Sequence, residues 1–469
     1  MAGIVSYVSY IHYYRLDRRT IGALLGSGGG KGNRAVACYD EDTTSMGVEA
    51  GRNALAATVA VKPDSLYFST SDPAYLDKTN ATAIAAALGL PDSTFAVDLG
   101  GAVRSGIGAI LAATDSSHST LVVLADARNG LPGSGDEVAG GDAAAAIVFG
   151  AANVLCELVS HASTTAEFLD RWRTPGASAS GVWEERFGES EYVPLAAPAV
   201  TDALKMANLT IDQIDHVIVT GVHQRAIGVI AKSVGARTGA LADDLTSQIG
   251  NAGAAAAGLV LADVLDRAGA GETILAISVA DGVDAIIWRT TAALAGFRAA
   301  RTARTVQEQI AGGTALAYPL FLTWKGQLRR EPPRRPDPDR PAAPPSARMS
   351  AWKYGFNGSR CIPCGTRHLP PMRVCLNCRS VDQMTPERLA DVQATIATFT
   401  IDRLAFSPSP PVVAAIIDFD GGGRFNCELT DVDPAEVKIG GRVEMTFRRL
   451  LTAQGVHNYF WKARPVRSA

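Results

Sequence analysis

The sequence predicts an α/β domain over residues 1–295, joined through a proline-rich linker to a metal-bound ribbon and an all-β barrel. Three observations carry this. Short apolar runs alternate with alanine-rich helical patterns through the first domain, two C-x2-C pairs lie ten residues apart beyond position 360, and short period-2 segments follow them. The expected boundaries are 1–295 for the α/β domain, 296–350 for a docking helix and linker, 351–385 for the ribbon and 386–469 for the barrel.

Taken in order, Leu66–Ser69, Thr120–Ala125, His216–Thr220 and Thr273–Val279 are apolar runs that read as strands buried on both faces. Between them Met46–Ala60, Thr82–Leu88, Ser105–Ala113, Ala226–Val234 and Ala252–Leu265 carry helical patterns. Each half closes on an apolar segment, Ala144–Phe149 or Asp284–Trp288, so the domain reads as a duplication. Asp40, Glu41 and Asp42 precede the helix near Thr43 and are expected to cap it. The glycine-rich run Gly26–Gly32 lacks the spacing of a phosphate-binding loop and is expected to be a mobile loop. Residues 160–195 are less regular, either a surface excursion between the halves or a lid or tunnel wall over a substrate.

Beyond the first domain, Ala317–Trp324 is too aromatic for a free tether and should dock on it. Glu331–Pro341 and the following Ala342–Pro345 are expected to form neither helix nor central strand, because proline removes a backbone donor and fixes φ. Thr395–Thr400, Val412–Phe419, Arg424–Thr430, Arg442–Phe447 and Asn458–Ala463 have the spacing of an OB barrel.

Composition narrows the function. With 47% hydrophobic and 19% charged residues, the chain buries sizeable cores, and a net charge of −3 gives no electrostatic reason to expect nucleic acid or an anionic membrane. The barrel strands carry no basic stripe with interleaved aromatics, which again points away from nucleic acid. The N-terminal residues lack a basic segment followed by an apolar one, so a cytoplasmic protein is expected.

Cys361, Cys364, Cys375 and Cys378 form the most specific motif: two tight knuckles that each point two sulfurs at one centre. Four thiolates saturate a tetrahedral Zn²⁺ and leave no position for water or substrate, so this zinc is expected to be structural. His368, inside the loop, is expected at the surface or behind the ligands. Cys38, Cys156 and Cys427 are scattered and read as buried structural thiols in a reducing compartment.

Across residues 1–290 a set of motifs recurs in a familiar order: Gly3-Ile4-Val5, Asp40-Glu41-Asp42-Thr43, the run Asp98 to Ile110, Gly141-Asp142-Ala143, His223-Gln224 and Ile249-Gly250-Asn251. By these residues the domain resembles the 3-hydroxy-3-methylglutaryl-CoA synthase branch of the thiolase superfamily. The C-terminal part, through Glu331-Pro332-Pro333, Tyr354-Gly355-Phe356, the four cysteines and Pro370-Pro371, resembles the zinc-ribbon and OB-fold proteins that accompany thiolase-like subunits. The resemblance implies a five-layered α-β-α-β-α fold, at least a homodimer, an acyl-CoA substrate, and possible assembly with another thiolase-like subunit.

It also implies site residues. The family places a cysteine nucleophile where this chain has Val103, and a glutamate acid/base near Ser71, where Asp72 and Tyr75 are the available substitutes. His223 and Asn251 match the histidine and asparagine that hold a thioester oxygen, although Asn251, between Gly250 and Gly253, equally suits a turn or helix cap. The expectation is an enzyme that makes or breaks a C–C bond of a CoA thioester, by aldol, retro-aldol or direct acyl transfer, with no acyl-cysteine. The alternative is a catalytically silent scaffold that partners an active acyltransferase.

Overall fold

The structure, a computed structural model, describes residues 2–58, 61–334, 336 and 338–467. In the first half, β1 (Gly3–Ile11), α1 (Thr43–Ala56), β2 (Ser65–Ser69), α2 (Ala81–Leu88), β3 (Phe95–Asp98), α3 (Ser105–Thr114), β4 (Thr120–Ala127) and β5 (Asp142–Gly150) follow one another. The second half repeats the plan with β6 (Cys156–Thr165), α4 (Glu185–Ala207), β7 (His216–Gly221), α5 (Gln224–Ser233), α6 (Ala256–Leu265), β8 (Thr273–Val279) and β9 (Gly282–Thr290). The expected helix end at Ala60 lies outside the described residues.

The duplication is visible in the pairing. β2 runs parallel to β4, which returns antiparallel through β5 to β1. Likewise β7 runs parallel to β8, which returns antiparallel through β9 to β6. The two sheets join where Ile4 pairs with Cys156, giving the order β7-β8-β9-β6-β1-β5-β4-β2-β3.

Side-chain alternation then builds five layers. Along β4, Leu121 and Val123 pack outward on α1 and α2, while Val122 and Leu124 face α3 and α6 in the centre. In the other sheet Ile274 faces the same central helices, and Leu275 and Ile277 face α4 and α5. Because α6 lies between two sheets, Gly258 through Leu265 are all buried, which explains a helix that is apolar all round. The fold is the thiolase-like α-β-α-β-α architecture, and it accounts for strands that read as continuous apolar runs.

Three expectations change in detail. The irregular insertion is shorter than 160–195: β6 continues to Thr165 and α4 begins at Glu185, despite Pro194 and Pro198 inside it. The glycine-rich run is packed at its far end, since a Cβ on Gly32 would lie 2.1 Å from the Ser247 carbonyl oxygen, while Gly26 and Gly28 are exposed. A short helix, Ala343–Arg348, forms where prolines argued against one; Pro344 falls in its first turn, where an amide N–H has no intrahelical acceptor anyway. The linker residues Arg335 and Asp337 lie outside the described residues.

Tyr318–Trp324 is a helix, α7, seated with Tyr318, Phe321 and Leu322 against Leu16, Ile21 and Val36. The ribbon pairs β10 (Asn357–Cys361) with β11 (Arg367–His368) and β12 (Met384–Arg388). Next, β13 (Ala394–Asp402), β14 (Val412–Phe419), β15 (Arg424–Leu429), β16 (Arg442–Ala453) and β17 (Val456–Pro465) close a barrel in the order β13-β14-β15-β17-β16. The barrel packs on α1: Arg52 lies over the Trp461 ring at 5.2 Å, and its Nη1 donates to the Met445 carbonyl at 2.8 Å. Among the described residues, no helix is long and apolar enough to cross a membrane.

Candidate functional site

Four residues singled out in the sequence, Asp72, Val103, His223 and Asn251, lie at one edge of the two sheets, where strands end and helices begin. β2 runs out into Thr70-Ser71-Asp72, β4 into Arg128, and β7 into Val222-His223, while Val103 sits just before α3 and Asn251 before α6. Asp126, fully buried near the end of β4, ties these loops together. It accepts hydrogen bonds from Thr70 Oγ1 (3.0 Å), Ser71 N (2.7 Å), Ser71 Oγ (2.9 Å) and Ala254 N (2.8 Å), so one carboxylate fixes a loop of the first half to the helix entry of the second.

A cavity of about 470 Å³ opens at this edge, lined by Ser71, Asp72, Val103, Arg128, Arg173 and Tyr192 among others. Its outer wall is the shortened insertion, including Arg171, Trp172, Arg173 and Thr174 through Ala177. A second cavity of about 440 Å³ contains His223, Asp136 and Trp183, and shares Arg171, Ser180 and Val222 with the first. Among the described residues lining the two cavities there is no cysteine.

Asp72 and Val103 therefore face one space. Burial raises the Asp72 carboxyl above its ordinary range, outweighing Arg173, whose Nη1 lies 3.3 Å away. His223 caps α5, its Nδ1 accepting from Ala226 N at 3.2 Å; that bond assigns the neutral ring's proton to Nε2.

Asn251 and Tyr75 line neither cavity. The Asn251 Nδ2 group donates to the Gly221 carbonyl, and Oδ1 accepts from Gly253 N at 2.9 Å. The carboxamide is thus held as a turn-former, with one N–H beyond the Gly221 bond. Tyr75 turns toward the barrel: its hydroxyl accepts from His457 N at 2.7 Å, and the two rings lie 4.8 Å apart.

Sequence reasoning missed Asp126, Arg128, Arg171 and Arg173. The signal for the first two was present as Asp126-Ala127-Arg128, charged residues at the C-terminal end of a buried strand in an α/β sheet, where such folds bind ligands. The two insertion arginines had none.

In the ribbon, the four cysteine sulfurs lie within 4.8 Å of one another, with Cys361–Cys378 and Cys364–Cys375 at 3.5 Å. Sulfurs on a tetrahedral zinc stand ~3.8 Å apart, so the donor set fits Zn²⁺. Ser380 Oγ contacts Cys361 and Cys378 at 3.2 and 3.3 Å, and Thr366, bonded to Cys364, holds that thiol's pKa down to about 5. His368 is buried on β11 rather than at the surface, and its Nε2 has no partner among the described residues.

Comparison with known proteins follows the same division. Residues 387–448 match the family of the ChsH2 C-terminal OB-fold domain. The hydroxymethylglutaryl-CoA synthase of Picrophilus torridus is 30% identical over 297 residues, spanning 60% of this chain and 85% of that protein. The hydroxymethylglutaryl-CoA synthase of Methanothermobacter thermautotrophicus is 28% identical over 347 residues, 70% of this chain and 99% of that one. Among solved structures, MvaS in complex with 3-hydroxy-3-methylglutaryl coenzyme A superposes with a TM-score of 0.59 at 17% identity, over 72% of this chain and 94% of that one. The 3-oxoacyl-(acyl carrier protein) synthase III of Pseudomonas aeruginosa superposes at 0.55 and 17% identity, over 62% and 98%.

Proposed function

Since the chain belongs to the hydroxymethylglutaryl-CoA synthase family, we propose that it acts on a CoA thioester at a C–C bond, by aldol, retro-aldol or direct acyl transfer, without an acyl-cysteine. The observation that carries this reading is the cavity shared by Asp72 and Val103, with no thiol on its lining among the described residues. Valine offers no nucleophile, whatever the α3 N-terminus would do for one.

The aldol direction needs only groups that remain. Asp72 removes a proton from the carbon beside the thioester carbonyl, and its raised pKa suits a base that must give the proton back. Charge then develops on the thioester oxygen, and His223, on the adjoining cavity that shares Arg171, Ser180 and Val222 with this one, is the candidate donor through Nε2–H, whereas Asn251 lines neither cavity. The enolate carbon attacks an acceptor carbonyl, and the new alkoxide takes the proton from Asp72. Retro-aldol cleavage is the reverse. Tyr75, the other substitute for the family's glutamate, is the weaker choice because its hydroxyl is bonded to His457.

The ribbon supplies a structural Zn²⁺ site rather than chemistry, and its reduced thiols suit a cytoplasmic protein. A homodimer is part of this reading, supported by β3 at the open edge of the sheet with Phe95 61% exposed. Neither nucleic acid nor membrane is included.

A second reading, a silent scaffold for another thiolase-like subunit, is favoured by the bonding of Asn251 at both ends of its carboxamide. Turnover with acyl-CoA and aldehyde or ketone acceptors separates the two. The enzyme reading expects His223→Ala to lower C–C bond formation or cleavage by roughly 10²–10³, Asp72→Asn to remove the acidic limb of the pH profile, and radiolabelled acetyl-CoA to leave no covalent label. If no CoA thioester binds and His223→Ala changes nothing in the assembled complex, the scaffold reading stands.

A further inference from the structure

A third cavity, of about 130 Å³, lies at the junction of the α/β domain and the barrel and shares no lining residue with the two at the sheet edge. It has room for a small ion rather than a nucleotide. His12 and Arg304 reach it from the first domain, and Asp431, Glu444, Arg464 and Arg467 from the barrel side. Two of the three arginines are engaged. Arg464 meets Glu49 and Glu444 at 2.8 Å each, and Arg467 donates through Nη2 to the Asp431 carbonyl while its guanidinium lies 3.7 Å from the centre of the Tyr13 ring.

Arg304 is different. Among the described residues its guanidinium has no hydrogen bond or ion pair, although it is half-buried beside Gly312, where a Cβ would lie 2.8 Å from Nη1. Burial, with Arg467 and Arg464 close by, pushes its pKa down: a cation held among cations costs free energy that a bound anion offsets. Two buried residues on the same lining also keep an unpartnered atom. His12 spends Nδ1 on Glu41 at 2.8 Å and leaves Nε2, and Asp431 gives Oδ2 to Arg448 at 2.5 Å and leaves Oδ1. Imidazole Nε2 serves as donor or acceptor according to its protonation, but a carboxylate oxygen only accepts. The lining therefore combines an open guanidinium with an acceptor that needs a proton. Sulfate, fully ionised at neutral pH, satisfies the first and opposes the second, whereas phosphate keeps at least one P–O–H and satisfies both.

We propose that this junction cavity binds hydrogen phosphate as a free ion, held by the guanidinium of Arg304 with Arg467 beside it, and donating its own proton to Asp431 Oδ1. Because its partners come from both domains, the ion bridges the α/β domain and the barrel, and the junction gains a contact that strengthens with phosphate concentration. The site stands apart from the CoA-thioester reading, with which it shares no residue.

Titration calorimetry of the full chain with sodium phosphate and sodium sulfate, at neutral pH and matched ionic strength, tests this. Phosphate should bind with a dissociation constant at or below about 1 mM, and about 10- to 100-fold more tightly than sulfate, the range expected of a hydrogen bond to a charged group. Arg304→Gln should weaken phosphate binding by about 10- to 100-fold. Its melting temperature in phosphate-free buffer should be unchanged or raised, because a cation is removed from among cations. No phosphate binding to wild type, equal affinity for sulfate, or a phosphate affinity that survives Arg304→Gln overturns the proposal. A phosphate ester is the other source of the same chemistry, and CoA, which carries one, separates the two. Displacement of bound phosphate by CoA would give the cavity to an ester and overturn the free-ion site, and no displacement upholds it.

Discussion

Arg448 of the barrel and Asp40 of the loop before α1, 408 positions apart in the chain, meet at 3.1 Å with both side chains fully buried. The same guanidinium reaches Glu41 at 3.2 Å and Asp431 at 2.5 Å, and Lys462 meets the other Asp40 oxygen at 2.9 Å. Glu41 in turn takes His12 Nδ1 at 2.8 Å and the Tyr10 hydroxyl at 2.5 Å. The contact between the α/β domain and the barrel is therefore an ionic network inside an apolar surround, each charge fixed by several partners.

Removing its centre should be costly. Arg448→Met leaves Asp40, Glu41 and Asp431 buried without that cation, a loss expected to be about 3–5 kcal/mol. Urea denaturation of the full chain measures it. Arg424→Ala, which breaks the exposed pair with Asp418, should leave the curve unchanged.

Acid should loosen the same contact. Burial alone would raise the Asp40 and Glu41 carboxyls, but Lys462 and Arg448 on Asp40, and Arg448 and His12 on Glu41, outweigh it and hold both below the ordinary range. Depressed folded-state pKa values mean that the stabilisation is fully present above the unfolded values near about 4 and is lost as pH falls below them. Melting temperature should therefore be flat from neutrality to about pH 5 and drop below about 4. A flat curve through that window would remove the network from the account of stability.

Zinc should bind the ribbon in a one-to-one ratio, measured by metal analysis of undamaged protein. Cys361→Ser or Cys378→Ser should release it and unfold the ribbon, because the binding energy of such a site is folding energy. The cavity residues should keep their ligand affinity.

Val103→Cys tests whether the cavity still presents a thioester to the α3 N-terminus. Mass spectrometry after incubation with acetyl-CoA should find an acyl group on the new cysteine and none on wild type. A stable acyl group on any wild-type cysteine during turnover would end the non-covalent mechanism.

Local pattern was enough for much of this molecule. Thr120–Ala125 and Thr273–Val279 read as buried strands because both faces of each are covered, and the four cysteines read as one site because two-residue knuckles leave the sulfurs little freedom. The duplication and the barrel strands were likewise legible, whereas Asp72, Val103 and His223 were singled out through the family resemblance and not by local pattern. Tertiary structure decided the fates of the polar groups. Only Asp42 of the acidic triplet caps α1, while Asp40 and Glu41 are claimed by Arg448 and Lys462. Tyr75 is drawn to His457, and Arg304 is left among Arg464 and Arg467. Apolar periodicity is a property of neighbouring residues, which a sequence displays directly. The partner of a charge is set by which distant segments the fold brings within about 4 Å, and no local window contains both.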